Sequence, residues 1–166
     1  MNEGITRIYR VLRKPYAQNP FDGEGAYRFG GRWSSSGTCL SYASEHQSLA
    51  MLEYFIHLDK DNPPDDLVLA IAALPEALPK KILPIEALPT NWRDAIAPPE
   101  LARFGDEFAA QAEHCALFVP SALAPSEHNC LINPAHVDFK KITIRPLEAL
   151  NYDPRMFGKL RAHRRR

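Results

Sequence analysis

The chain has 166 residues, 45% of them hydrophobic and 24% charged, a length that suits one domain around one core. Its 20 Lys and Arg balance its 20 Asp and Glu, so net charge argues for neither a nucleic-acid nor a membrane partner. Three scattered cysteines (Cys39, Cys115, Cys130) with no CxxC or Cys/His ligand spacing argue against a disulfide scaffold or a zinc site. They fit small apolar residues in a reducing compartment.

In chain order, residues 5–12 alternate and are rich in β-branched and aromatic types, which predicts a first strand. Residues 13–38 hold five of the eight glycines and read as a long structured loop, a kind that more often serves function. A short strand is expected at 39–43. A helix then runs from Ser44, a candidate N-cap with Gln47 completing a capping box, to about Leu58, where Asn62-Pro63-Pro64 stops it. The continuous apolar run 67–74 predicts a buried strand. Prolines at 75, 79, 84 and 89 break the next stretch into irregular connection with one short strand around 81–85. A helix over 100–115, strands over 116–120, 129–134 and 140–145, and a terminal helix over 153–163 complete the reading. Strands and helices mix without a regular βαβ rhythm, so the fold class is α+β, a single domain over 1–166.

No leader of basic then apolar residues opens the chain, and no apolar run reaches the roughly 18 residues of a membrane helix, so a soluble cytoplasmic protein is expected. The charge is unevenly placed. Residues 155–166 carry six cations and no acid, so the body is acidic and the tail basic.

Three features carry chemistry. From Ser48 to Leu58 the helix is apolar nearly all round, which predicts burial, and Glu53 is its only formally charged residue. A carboxylate there must shift its pKa or meet a cation and hydrogen-bond donors. The helix alone fits a structural ion pair and a functional group equally well. Residues 23–37 interleave glycines with Arg28, Arg32 and aromatics, a composition that suits close backbone approach, phosphate binding and stacking. Neither a GxGxxG turn nor a Walker loop is present, and composition alone favours a turn-rich loop with Trp33 packed on the core. Ser121, Asn129, Asn133 and His136 form the third group. No GxSxG elbow surrounds Ser121 and His136 has no identifiable acid, so a Ser-His hydrolase is weakly supported beside the ordinary role of such residues in turns.

The order of blocks is more specific than any one of them. Tyr9-Arg10, GxGA from Gly23, GGRWxxxG from Gly30, Tyr42-Ala43-Ser44, SLAxxE from Ser48 with His57, VPSA from Val119, NxLINPxH from Asn129 and Asp153-Pro154-Arg155 together resemble the RES domain. One departure is Ser34, where that family often has Asn after the Trp. The arginine, glutamate and serine for which the family is named match Arg32, Glu53 and Ser121.

The resemblance implies a toxin of a bacterial toxin–antitoxin pair, with a fold similar to ADP-ribosyltransferase toxins and NAD as substrate. It implies that Glu53 stabilises the oxocarbenium-like state formed when the nicotinamide–ribose bond breaks. It assigns Arg32 and Arg10 to the pyrophosphate or the nicotinamide end, Tyr42 to stacking on nicotinamide, and Asn129 to cofactor binding. Ser121 would orient Glu53 or the ribose, and no metal is required. Two outcomes stay open: NAD breakdown with water or phosphate as acceptor, and ADP-ribose transfer to a protein. The implied partner is an Xre-type antitoxin that blocks the site in a hetero-oligomer, with direct DNA binding left to that partner. A non-enzymatic binding module using the basic tail is the weaker alternative.

Overall fold

Every position of the strand Leu67–Leu74 is apolar because both of its faces are covered. In the computed structural model, which describes residues 4–158, Val68, Ala70, Ala72 and Leu74 join Ile8, Leu12, Phe118 and Ile132 on one side. Leu67, Leu69 and Ile71 join Val11, Ala50 and Tyr152 on the other. At about 25 cal/mol per Å² of apolar surface removed from water, such two-sided burial fixes the strand as the centre of the fold.

The elements are β1 (Thr6–Arg13), α1 (Glu24–Phe29), β2 (Ser41–Ser44), α2 (Gln47–Phe55), β3 (Leu67–Leu74) and β4 (Lys80–Ile82). They continue with α3 (Glu100–Gln111), β5 (Ala116–Pro120), β6 (His128–Ile132), β7 (Thr143–Ile144) and β8 (Glu148–Ala149). The strands join in one sheet of order β4-β5-β6-β2-β1-β3-β7, with β8 also on β3. Among the described strands only β4 and β5 run parallel, so the α+β class holds, with a single mixed sheet and few helices.

Pairing is unequal across this sheet. β1 and β3 match residue for residue from Thr6↔Leu74 to Arg13↔Leu67. β1 and β2 share one register pair, Tyr9↔Ser44. The two strands therefore part beyond that point, and the gap opens a cleft of about 1030 Å³. α3 covers the other end, where Leu101 and Phe108 pack with Trp33, Trp92, Leu117, Val119 and Leu131. Its Gly105 lets the helix close on the loop before β2: a Cβ there would lie 1.9 Å from the carbonyl oxygen of Trp33.

Several local expectations are corrected. Ser44 does not cap α2; it ends β2, and its hydroxyl is committed to Asn129 Oδ1 at 2.7 Å, so His46 is the N-cap residue, without a side-chain bond. α2 stops at Phe55, short of Leu58, and is not buried all round: Leu52 is 40% and Ile56 47% exposed. α3 ends at Gln111 because Ala112 takes the left-handed conformation, φ 50°. The loop 13–38 contains α1, a six-residue helix with two Gly-flanked ends and one buried residue, Ala26, which carries no apolar period. β2 and β4 are shorter than expected, β7 keeps two residues of 140–145 after a 3₁₀ segment (Val137–Lys141), and β8 is additional. The expected terminal helix is a 3₁₀ turn over Pro154–Phe157 ended by Gly158 at φ 65°, and the rest of the basic tail lies outside the described residues. No described helix is long and apolar enough to cross a membrane.

Candidate active site

Five elements meet where the sheet splits. Asn129 on β6 lies opposite Ser44 of β2 and Val119 of β5, and Ser44 in turn faces Tyr9. α2, packed on β1 and β2, lowers Glu53 into this junction. The Glu53 carboxylate is held through a single oxygen: Oε1 accepts from Ser121 Oγ at 2.8 Å and from Asn129 Nδ2 at 2.6 Å. Glu53 lines the cleft, and its Oε2 has no hydrogen bond among the described residues.

Both donors are fixed from behind. Ser121 is fully buried, and its Oγ accepts from the backbone nitrogens of Leu123 and Ala124, each at 3.1 Å. A hydroxyl has one proton, so with both acceptor sites used that proton points at Glu53. Asn129 Oδ1 accepts from Ser44 Oγ, which sets the amide with its NH₂ toward the carboxylate. Close by, His46 Nδ1 lies 3.1 Å from Glu127 Oε2, and the His128 N–H donates to Glu45 Oε1 at 2.6 Å. These contacts stitch the β2–α2 corner to the start of β6.

Arg10 is the cation nearest this point on β1. Its Nη1 donates to the Tyr42 carbonyl at 2.7 Å and to Ser41 Oγ at 3.3 Å across the split. Its Nε is buried and has no partner among the described residues. Burial lowers the Arg10 pKa and Asp22 opposes that, but a guanidinium remains charged at neutral pH. A buried, unpaired donor on a cation that lines a cleft is a donor arrangement suited to an anion.

Tyr42 also lines the cleft. Its hydroxyl accepts from the Trp33 N–H at 3.2 Å and lies 2.8 Å from Ser34 Oγ, within the turn closed by the Gly31↔Ser34 bridge. Burial raises its pKa, against the lowering effect of the Ser34 and Trp33 contacts, so it stays a neutral phenol. The ring is thereby clamped by its far end.

Arg32 stands apart from this group. Its Nη1 donates to the Trp92 carbonyl at 2.8 Å and its Nη2 to the Asp94 carbonyl at 2.9 Å, and it is not among the residues that line the cleft. Its fork ties the glycine-rich loop to the segment before α3. That loop is further fixed on α3, where Asp106 Oδ1 accepts from Ser35 N and Thr38 Oγ1.

The structure thus brings together Arg10, Tyr42, Glu53, Ser121 and Asn129, while Arg32 is bonded to the Trp92 and Asp94 carbonyls beside them. It adds Ser44 behind Asn129, and on the cleft's remaining wall Tyr16, Arg28, Phe29, Tyr54 and His57. Ser44 was legible as part of the Tyr-Ala-Ser block and as a candidate cap, Phe29 only as one of the aromatics of the glycine-rich loop, and Tyr16 left no mark, because aromatics in a sequence default to the core.

The family model of the RES domain matches residues 7–153. The chain is similar to "Toxin Res" of Yersinia enterocolitica, 32% identical over 151 residues covering 90% of this chain and 98% of that protein. It is also similar to "Prs ADP-ribosylating toxin" of Sphingobium sp., 34% identical over 158 residues, 93% of this chain and 98% of the relative. Among solved structures, a chain of the M. tuberculosis MbcT-MbcA toxin-antitoxin complex superposes with a TM-score of 0.70 at 16% identity, covering 95% of this chain and 90% of that one, and so shares the fold. The chain belongs to the RES domain family.

Proposed function

We propose that this protein is a toxin that cleaves the nicotinamide–ribose bond of NAD. The observation that carries the reading is the Glu53 carboxylate, anchored through Oε1 by two oriented donors, on a residue that lines the same cleft as Arg10. In this reading Arg10 binds the pyrophosphate, its buried Nε supplying the donor that lacks a partner, and Tyr42 stacks on nicotinamide. The bond from C1′ to the nicotinamide nitrogen breaks, and its electron pair leaves with nicotinamide as a neutral molecule. The ribose C1′ becomes oxocarbenium-like, as in glycoside hydrolysis. Oε2 of Glu53 accepts from the ribose 2′-hydroxyl, and the carboxylate stabilises the positive charge that grows only in the transition state. Water attacks C1′ and releases its proton, giving ADP-ribose; phosphate as acceptor gives the 1-phosphate. Ser121 orients Glu53 and is not a nucleophile, since it is fully buried behind the carboxylate. Arg32 is a positioning residue that holds the Trp33–Ser34 turn and, through it, the Tyr42 hydroxyl.

A second reading, transfer of ADP-ribose to a protein, is favoured by the printed name of the Sphingobium relative. Both share the cleavage step and differ in what attacks C1′. An antitoxin of the Xre type that covers the cleft belongs to the same proposal, supported by the family resemblance.

The test is cellular NAD during expression of the wild type and of Glu53→Gln. NAD is expected to fall with the wild type and hold with the variant. Growth arrest without NAD loss overturns the NAD-depletion reading, and adenine-labelled NAD then decides the other: label fixed on protein establishes transfer.

A further inference from the structure

Tyr16 is 75% and Phe29 83% exposed, yet both line the same cleft as Glu53 and Arg10. Leaving a large aromatic side chain in water forgoes about 1.5–3 kcal/mol of burial, and two of them lining one cleft offer apolar, planar faces that the described residues leave largely uncovered. Local structure explains why neither folds inward. Tyr16 ends the 3₁₀ turn Lys14–Tyr16 that follows β1, a turn with no buried residue. Phe29 is the last residue of α1, whose one core contact is made by Ala26 and whose chain is turned away at Gly30, φ 68°. Arg28 beside it is neutralised by Glu24 at 2.6 Å, so this wall offers stacking and little net charge.

The direction of β1 orders the cleft. Tyr9 sits at the junction with Ser44, next to Asn129 and Glu53; Arg10 follows, then Arg13, then Tyr16. At about 3.3 Å per strand residue, Arg13 lies roughly 13 Å from Tyr9, so Tyr16, which follows β1, lies beyond the cation as seen from the carboxylate, and Phe29 lines the same cleft from α1. A substrate with its reacting ribose at Glu53 and its pyrophosphate at Arg10 extends its far end along β1 toward Tyr16, in the cleft that Phe29 also lines.

We infer that Tyr16 and Phe29 form a stacking subsite for a purine base, the adenine end of the dinucleotide. The inference rests on the reading of the cleft as an NAD site, and it makes the pair determinants of preference for a dinucleotide over a mononucleotide. Base–aromatic stacking tolerates sequence and substituent because it uses the flat face of the ring, and this surface carries no hydrogen-bonding group beyond the Tyr16 hydroxyl.

The experiment is calorimetric titration of the full chain with ADP and, separately, with inorganic pyrophosphate. ADP is expected to bind the wild type more tightly than pyrophosphate. Tyr16→Ala and Phe29→Ala are each expected to weaken ADP roughly 5- to 150-fold while leaving pyrophosphate unchanged, and Phe29→Trp to keep ADP affinity. Equal affinity of the wild type for both probes, binding of neither, or parallel loss of both in the variants overturns the subsite. Retained ADP affinity in both alanine variants overturns it as well, and leaves the aromatics as a contact for a protein partner. A wild type that binds ADP selectively but spares NAD overturns the proposed activity and leaves the subsite standing.

Discussion

Ser121 Oγ lies 2.8 Å from Glu53 Oε1 while accepting two backbone N–H groups at 3.1 Å, so its single proton has one place to go. Ser121→Ala removes a charge-assisted donor from the carboxylate and leaves two N–H groups without their acceptor. Losing such a donor corresponds to roughly a 10- to 100-fold fall in kcat, with KM for NAD little changed, because the bond acts on Glu53 and not on bound substrate. The orphaned N–H groups cost about 1–3 kcal/mol of stability. Nicotinamide release and urea unfolding read the two effects separately; unchanged kcat sinks the orienting role.

Ser44 and Asn129 act as one unit. Ser44 Oγ donates to Asn129 Oδ1 at 2.7 Å, and Asn129 Nδ2 donates to Glu53 Oε1 at 2.6 Å. Removing either lets the carboxylate turn, so the second substitution adds little. In a cycle of Ser44→Ala, Asn129→Ala and the double variant, the effects on kcat are expected to miss additivity by about 0.5–3 kcal/mol. Additive effects would show that Ser44 does not work through the amide.

How far the site was legible depends on which residue is considered. Glu53 stood out as the lone charge in an apolar helix, although the reason offered, burial on all sides, does not hold, with Leu52 and Ile56 both exposed. Leu49 and Ala50 are buried, while Met51, Tyr54 and Phe55 are partly buried against the cluster around Leu69 and Tyr152, so the apolar residues serve the core without full burial. Ser44 was misread because Ser before an apolar run signals an N-cap in sequence, and only the β2–β6 register reveals that its hydroxyl is used across the sheet. β3 was legible from its continuous apolar run, and β5 and β6 were expected as strands close to their observed bounds. α1 was not, since six residues with one buried alanine carry no period. The split between β1 and β2, which makes the cleft, is a matter of register and twist that no local pattern encodes.

Arg32 is expected to behave as a brace. Its two carbonyl partners, Trp92 and Asp94, are each within 2.9 Å. Arg32→Ala breaks both bonds and frees the turn that fixes the Tyr42 hydroxyl, costing about 1–3 kcal/mol of stability together with activity. Arg32→Lys reaches one carbonyl and is expected to restore part of both. If Arg32→Ala abolishes turnover with thermal stability intact, the residue contacts substrate directly and the bracing role is refuted.

Stability is expected to fall in alkali. Burial first, and then Asp138, push the Cys115 thiol from 9.0 to about 11; burial, and then Tyr54, push the Tyr152 phenol from 10.0 to about 12. Burial also raises Cys130. In each case the unfolded chain loses its proton at a lower pH than the folded one. The folded state therefore binds more protons between the two pKa values, and stability declines as pH rises through that window. The loss begins near pH 9 with the thiols and continues from pH 10 to 12 with Tyr152. Under reducing conditions, a Cys115→Ala, Cys130→Ala double variant should hold its chemical-denaturation midpoint to about pH 10. A wild type whose stability is flat from pH 9 to 11 contradicts this.

Two glycines separate damage to the fold from damage to the site. A Cβ on Gly105 meets the Trp33 carbonyl oxygen at 1.9 Å and Leu40 Cδ1 at 3.0 Å, a clash with backbone that α3 relieves only by leaving the loop. Gly105→Ala is therefore expected to separate α3 from Trp33 and to cost several kcal/mol, of the order of overpacking at its upper end, about 3 kcal/mol or more. A Cβ on Gly31 meets the Tyr42 hydroxyl at 2.8 Å and its ring carbon Cζ at 3.0 Å. That obstacle is a side chain, and Tyr42 relieves it by giving up its bonds to Trp33 and Ser34 and tilting within the cleft. Gly31→Ala is expected to cost about 1–3 kcal/mol of stability, less than Gly105→Ala, while lowering turnover of NAD. A tilt that matters for stacking changes near-ultraviolet circular dichroism and KM together. If Gly31→Ala turns over NAD like the wild type, the clamped position of Tyr42 has no part in placing the nicotinamide.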